Sequence, residues 1–217
     1  MKNEQSQMKN NAGSIIVFIF SISLGYAVLR YHIMGNVPWK DFPFFIMNKG
    51  LALSAIILLT LNFSLGPLHN LIAIIPDGWL NARKTIGMTG FLLVLLHVLM
   101  SIMSFNPAMY GKFFEPDGSM TLLAGLSMLG GILSFVILWG YNLSFQTQLR
   151  KDKAFIQLIT SRNFLLTAML LTAAHLLFMG YEGWLDPSGW LGGMPPISLV
   201  GFVIFVFGYI INLVGRK

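Results

Sequence analysis

The chain has no cysteine. That excludes disulfides, iron–sulfur clusters, thioether-linked haem and thiolate zinc sites. Charge is also scarce: 14 Lys and Arg plus 8 Asp and Glu make up only 10% of 217 residues. An ordinary soluble domain carries about 25%. So few charges cannot cover a water-exposed surface of this size. No GxGxxG and no Walker phosphate loop occurs, so the sequence contains no nucleotide-binding domain of those kinds. The net charge of +6 comes from short basic clusters between long apolar runs. That is topology information and not a nucleic-acid footprint.

What the chain has is apolar length. Hydrophobic residues are 55% of it and the mean hydropathy is +0.72. A helix that crosses a bilayer needs about 20 mostly apolar residues. Six stretches qualify: 14–34, 50–71, 85–105, 120–143, 163–181 and 197–214. The expected fold is all-α, a six-helix transmembrane bundle over 14–217 preceded by a polar tail, 1–13. Lys2 and Lys9 before the first apolar run imitate a signal peptide. No small-x-small cleavage site follows, and the run is long enough to span, so it reads as an uncleaved first helix. Pro76-Asp77-Gly78 and Pro116-Asp117-Gly118 read as turns, and Asp186-Pro187-Ser188-Gly189 and Met194-Pro195-Pro196 close the loop before the last helix.

Lys and Arg set the expected orientation. With the termini in the cytoplasm, ten basic residues lie inside: Lys2, Lys9, Arg83, Lys84, Arg150, Lys151, Lys153, Arg162, Arg216 and Lys217. Four lie outside: Arg30, Lys40, Lys49 and Lys112. Positive charge stays on the cytoplasmic side, so both termini are expected there, in a cell inner (plasma) membrane. The outer loops carry interfacial aromatics such as Trp39, Phe44, Tyr110 and Trp190.

A titratable group deep in a spanning helix is costly and is a functional candidate for that reason. Two histidines lie that deep, His97 in the third helix and His175 in the fifth. His97 is 13 residues past Lys84 and His175 is 13 past Arg162. At 1.5 Å per residue each imidazole sits about 20 Å above its basic residue, in the outer half of the core. Two imidazoles at one depth suit a haem plane standing between the helices, since neutral imidazole is a normal axial ligand. Gly90 lies seven residues before His97 on the same face, with Gly87 one turn earlier. Small residues there, and at Gly130-Gly131, leave room either for a flat cofactor or for a neighbouring helix. Ser101 and Thr172, one turn from the two histidines, are candidates to orient the rings. The plainer alternative is that each histidine bonds to a neighbouring helix and holds no metal. His32 and His69 lie near helix ends, where solvation is the simpler role.

From Leu58 to Gly180 the sequence resembles the ferric-reductase-like transmembrane domain superfamily. That superfamily includes the haem-binding membrane subunit of the periplasmic methionine-sulfoxide reductase system, and more distantly the NADPH oxidases and the STEAP metalloreductases. The resemblance rests on Gly66-Pro67-Leu68, on Arg83-Lys84, Gly87, Phe91 and Leu96-His97, and on the loop Asn106–Phe114. The basic stretch Arg150–Lys153 and Ala173-Ala174-His175 complete it. It implies haem b held by His97 and His175. Members with two haems carry a further His about 13 residues earlier in each helix, where this chain has Lys84 and Arg162. One haem is therefore implied, not two. The metalloreductase members dock a flavin in place of the inner haem. FMN or FAD against Lys84, Arg162, Arg150 and Lys151 is the corresponding expectation.

The leading expectation is a b-type cytochrome membrane subunit that carries electrons through one bis-histidine haem to an outer-face acceptor. Its donor would be a redox partner protein or a quinol. Arg30, with Tyr31 and His32 at the outer end of the first helix, would meet the propionates. Chemistry beyond electron transfer would belong to a larger oxidoreductase. A haem-free anchor or assembly subunit is the rival from another class, because a fold does not fix a function. A solute transporter would need more polar residues within its spans than Asn62, Ser64 and Asn142.

Overall fold

The structure, a computed structural model, describes residues 2–72, 75, 77–146 and 149–215; for 2–10, 77 and 150 it describes the backbone alone. The expected position of Pro76 in a turn, and the placement of Arg216 and Lys217, lie outside the described residues. Among the described residues there is no strand, only an isolated antiparallel bridge between Phe114 and Met120. Also among the described residues, six helices are long and apolar enough to cross a membrane: 11–33, 39–71, 78–104, 122–143, 162–184 and 191–214. The chain is thus an all-helical, multi-pass membrane protein.

The helices in chain order are α1 (Lys2–Ala27), α2 (Asn48–Leu71), α3 (Asp77–Ser104), the short α4 (Pro107–Tyr110), α5 (Leu122–Leu143), the short α6 (Lys153–Ile159), α7 (Arg162–Trp184) and α8 (Ile197–Val214). Several expected boundaries move, the second span beginning at 39 and not at 50 and the last at 191 and not at 197. The polar tail is helical and continuous with the first span, since α1 begins at Lys2. Asp77-Gly78 is not a turn but the start of α3, eight residues before the expected Thr85. Propensity in that stretch was masked by its polar and glycine residues, while helix continuity satisfies backbone groups that a bilayer interface leaves costly.

Caps explain several starts. Thr121, Asp152 and Ser161 each accept a hydrogen bond from a backbone N–H three residues on, at Ala124, Phe155 and Phe164. The Pro116-Asp117-Gly118 turn is present: Gly118 N–H donates to Glu115 O, and Gly118 takes the left-handed φ of +83°.

α2 is the axle of the bundle, packed on α1, α3 and α8. α8 passes the contact on to α7, and α7 to α5. α3 and α5 meet lightly through the stacked rings of Phe91 and Phe135, with centroids 6.0 Å apart. Lipid gives helices no hydrophobic reason to associate, so close packing must do it. The glycines mark where it happens. A Cβ on Gly130 would sit 3.2 Å from Leu171 O and 3.3 Å from His175 N, so α5 lies directly on the α7 backbone. The end of α2 and the start of α3 are joined by Arg83, whose Nε donates to Asn62 O at 3.0 Å. A Cβ on Gly66 would meet that guanidinium at 2.9 Å, and one on Gly87 would meet the Asn62 amide at 2.7 Å. Gly66, Arg83 and Gly87 are therefore one helix joint.

Candidate functional site

His97 and His175 are held by the same device from different partners. Nδ1 of His97 is 2.7 Å from Asn48 Oδ1, and the other end of that amide, Nδ2, donates to Ser101 Oγ at 3.0 Å. This orientation makes Oδ1 the acceptor and His97 Nδ1–H the donor. Nδ1 of His175 donates to the backbone carbonyl of Ser127 at 2.8 Å. Ser127 Oγ lies 3.1 Å from the same nitrogen while donating to His175 O at 2.9 Å. A carbonyl only accepts, which fixes the proton on Nδ1.

Both rings therefore present the lone pair on Nε2. Among the described residues neither Nε2 has a hydrogen-bond partner, and neither is sealed inside the packed core. Metal-ligating histidines characteristically donate their other N–H to a carbonyl or carboxylate. α3 and α7 do not pack on one another to any extent; α5 lies beside α7, and α2 beside α3.

The expected residues around them divide. Ser101 belongs to the His97 network, although its own approach to Nδ1 is 3.5 Å and the direct support is Asn48. Thr172 does not orient His175; its hydroxyl donates to Ala168 O at 3.0 Å and pairs with Ser134. Gly131 does serve the histidine, because a Cβ there would fall 2.8 Å from His175 Nδ1. Gly90 does not open onto a cofactor. A Cβ on it would touch Leu59 and Leu58 at 3.1–3.2 Å, so its small size is used in packing α3 on α2. It shares the face of His97 because that face borders α2, which also supplies Asn48.

Arg30 is buried at 5% exposure, at the far end of the first span from the chain termini. Its Nη1 donates to Met194 O at 2.7 Å and contacts Leu191 O at 3.4 Å, tying the first span to the loop before α8. Its Nε is buried with no partner. His32 turns elsewhere, with Nδ1 2.7 Å from Val37 O and its ring 4.2 Å from that of Trp39. His69 keeps a buried Nδ1 with no partner among the described residues, at the other end of the bundle.

On the side of the chain termini, Arg162 donates to Leu213 O at 2.9 Å and so caps the end of α8. Arg83 is engaged in the α2–α3 joint. Lys84 and Lys151 are exposed, and the side chain of Arg150 lies outside the described residues. Among the described residues no three His, Asp or Glu side chains converge.

Asn48, Ser127 and Lys49 were not singled out from the sequence. Asn48-Lys49 is a polar pair at the head of a long apolar run, and that is the signal that could have found two of them. Ser127 acts through its carbonyl as well as its hydroxyl, which residue type does not announce.

No family model matches the chain, and no curated protein matches it.

Proposed function

We propose that this protein is a single-haem b-type cytochrome of a membrane electron-transfer system, with His97 and His175 as the axial ligands. The observation that carries the reading is the paired tautomer. Two intramembrane imidazoles on separate helices both have Nδ1–H engaged and, among the described residues, no partner on Nε2. A histidine kept only for helix packing has no need to leave one nitrogen unpaired in lipid, where an unmet polar group is expensive. Bound haem would supply a one-electron couple. The chain's own part is to fix the rings: Asn48 and the Ser127 carbonyl hold the tautomer, and Gly131 gives the His175 ring its place. The likeness of Arg83-Lys84, Gly87 and Leu96-His97 to the ferric-reductase-like superfamily supports the same function.

The charge asymmetry supports cytoplasmic termini and insertion in the plasma membrane. In that orientation both imidazoles lie toward the outer face, and electrons pass to an outer acceptor. Input from inside comes from a partner flavoprotein, a quinol, or an FMN or FAD held by exposed Lys84 and Lys151.

Absorption spectra of the purified protein, oxidised and then reduced with dithionite, test this. A low-spin b-haem spectrum lost in both His97→Ala and His175→Ala is expected. A colourless protein after haem-supplemented expression would reject the cytochrome and favour a haem-free membrane subunit. Fluorescence of the supernatant after denaturation tests for a released flavin.

A further inference from the structure

Of the fourteen Lys and Arg residues, four are expected on the face away from the termini, and three of those meet one group of rings, Tyr31, Phe45, Tyr110 and Phe113. The Lys49 ammonium is boxed by Phe45, Tyr31 and Tyr110, at 4.4, 5.1 and 5.5 Å from their ring centroids. Arg30 lies against the same Tyr31 ring at 5.3 Å. Lys112 reaches in from the 105–121 loop, 4.7 Å from the Phe113 ring and donating to Met179 O at 3.3 Å. Among the described residues none of the three cations has a carboxylate within 4 Å.

Such a cluster is unfavourable by itself. Arg30 is buried and Lys49 half-buried, while Lys112 is exposed at the rim; a cation taken from water into a low-dielectric setting loses several kcal/mol of solvation. One aromatic face returns about 0.5–2 kcal/mol. The three charges also repel one another. Topology does not call for them, because the face opposite the basic termini is the one where Lys and Arg are least needed. The rings do something more specific than neutralise: they hold the ammonium in one place. Lys49 follows Asn48, the residue that supports His97, so the cations border the imidazole site. The unpaired, buried Nε of Arg30 is a donor with capacity to spare.

We infer that Arg30, Lys49 and Lys112 form a binding site for a carboxylate-bearing anion beside the His97 imidazole. The carboxylates come either from the propionates of a bound macrocycle, in which case the site rests on the proposed function, or from a soluble anionic acceptor. Lys49 and Lys112 give charge at fixed points, and Arg30 gives directed N–H donors.

Binding to the haem-free protein in nanodiscs separates the sources. The probes are haemin, haemin dimethyl ester and succinate. If the site takes propionates, the native protein binds haemin about tenfold or more tightly than the diester. The Lys49→Met/Lys112→Met double variant then loses that preference and binds the diester as before. If the site takes a soluble anion, haemin and diester bind alike, and succinate raises the thermal transition of the native protein but not of the double variant. Lys40→Met, on the same face, serves as the charge control, and circular dichroism checks the fold. Equal binding of haemin and diester with no succinate effect overturns the anion site. Failure to bind either macrocycle rejects the cytochrome alone, since the succinate arm needs no haem.

Discussion

Asn48 spans two helices with one amide: its Oδ1 accepts from His97 Nδ1 at 2.7 Å while its Nδ2 donates to Ser101 Oγ at 3.0 Å. His97 and Ser101 are one turn apart on α3, so the amide clamps a full turn of that helix to the head of α2. Asn48 is 2% exposed, and both ends of its amide are used. A clamp of this kind determines which nitrogen of His97 carries the proton.

If His97 ligates haem as proposed, Asn48→Ala is expected to weaken haem binding by about ten- to a hundredfold, the usual cost of removing the partner of a ligating histidine. The reduction potential should rise. An acceptor on Nδ1–H makes the imidazole a stronger donor and favours the ferric state, so removing it favours the ferrous one. Asn48→Asp should move the potential the other way. Spectroelectrochemical titration of the bound haem measures both, and potentials that do not move would show that Asn48 only packs.

Gly131 and Gly125 lie on the same helix and give a matched pair. A methyl at Gly131 falls 2.8 Å from His175 Nδ1, in the place of the ring, whereas one at Gly125 meets nothing within 4 Å. Gly131→Ala is expected to lose the low-spin spectrum while the helical content stays, because the ring must turn off the Ser127 carbonyl. Gly125→Ala should leave the spectrum unchanged. Similar spectra from the two variants would place the ligand elsewhere than on His175.

The class of fold was legible because a bilayer imposes so strong a length rule that the six apolar runs of 18–24 residues could hardly be anything else. The expectation of equal depth for His97 and His175 rests on the same kind of rule, a constant rise per residue. What the sequence did not reveal is which face of each helix meets which neighbour. Gly90 and Gly131 look alike in sequence, each near a histidine, yet one packs on Leu58 and Leu59 and the other seats an imidazole. Thr172 is a turn from His175 and bonds to Ser134 instead. Asn48, far from His97 in sequence, reaches it through tertiary packing that no local pattern encodes.

The Arg83 joint makes a prediction about stability and not about the site. Gly66→Ala would place a methyl 2.9 Å from the guanidinium that bonds Asn62 O. Either Arg83 leaves its carbonyl or α2 and α3 separate. A loss of about 1–3 kcal/mol is expected from overpacking of this kind. Thermal unfolding in detergent should show it, with the spectrum of any bound haem unaltered below the transition. An unchanged unfolding temperature would mean that Arg83 is free to swing away at no cost.

Lys112 lies outside the spans and provides a pH test of the cation cluster. Burial lowers its pKa below the ordinary lysine value, and the nearby positive charge of Lys49 lowers it further. A lowered lysine is more often neutral at a given pH, so in mildly alkaline solution it should react with an amine reagent faster than N-acetyl-lysine does. Lys112 is exposed, which gives the reagent access and lets solvent soften the effect, and Tyr31 and Glu182 act in the opposite direction. Competitive labelling across pH, read residue by residue, gives the midpoint. Lys49→Met removes one of the two causes and should move that midpoint up, toward the value of about 10.4 for a free lysine. A bound carboxylate should act in the same direction as the substitution, since negative charge favours the protonated amine. A midpoint that responds to neither Lys49→Met nor succinate would show that the two lysines do not share one electrostatic site.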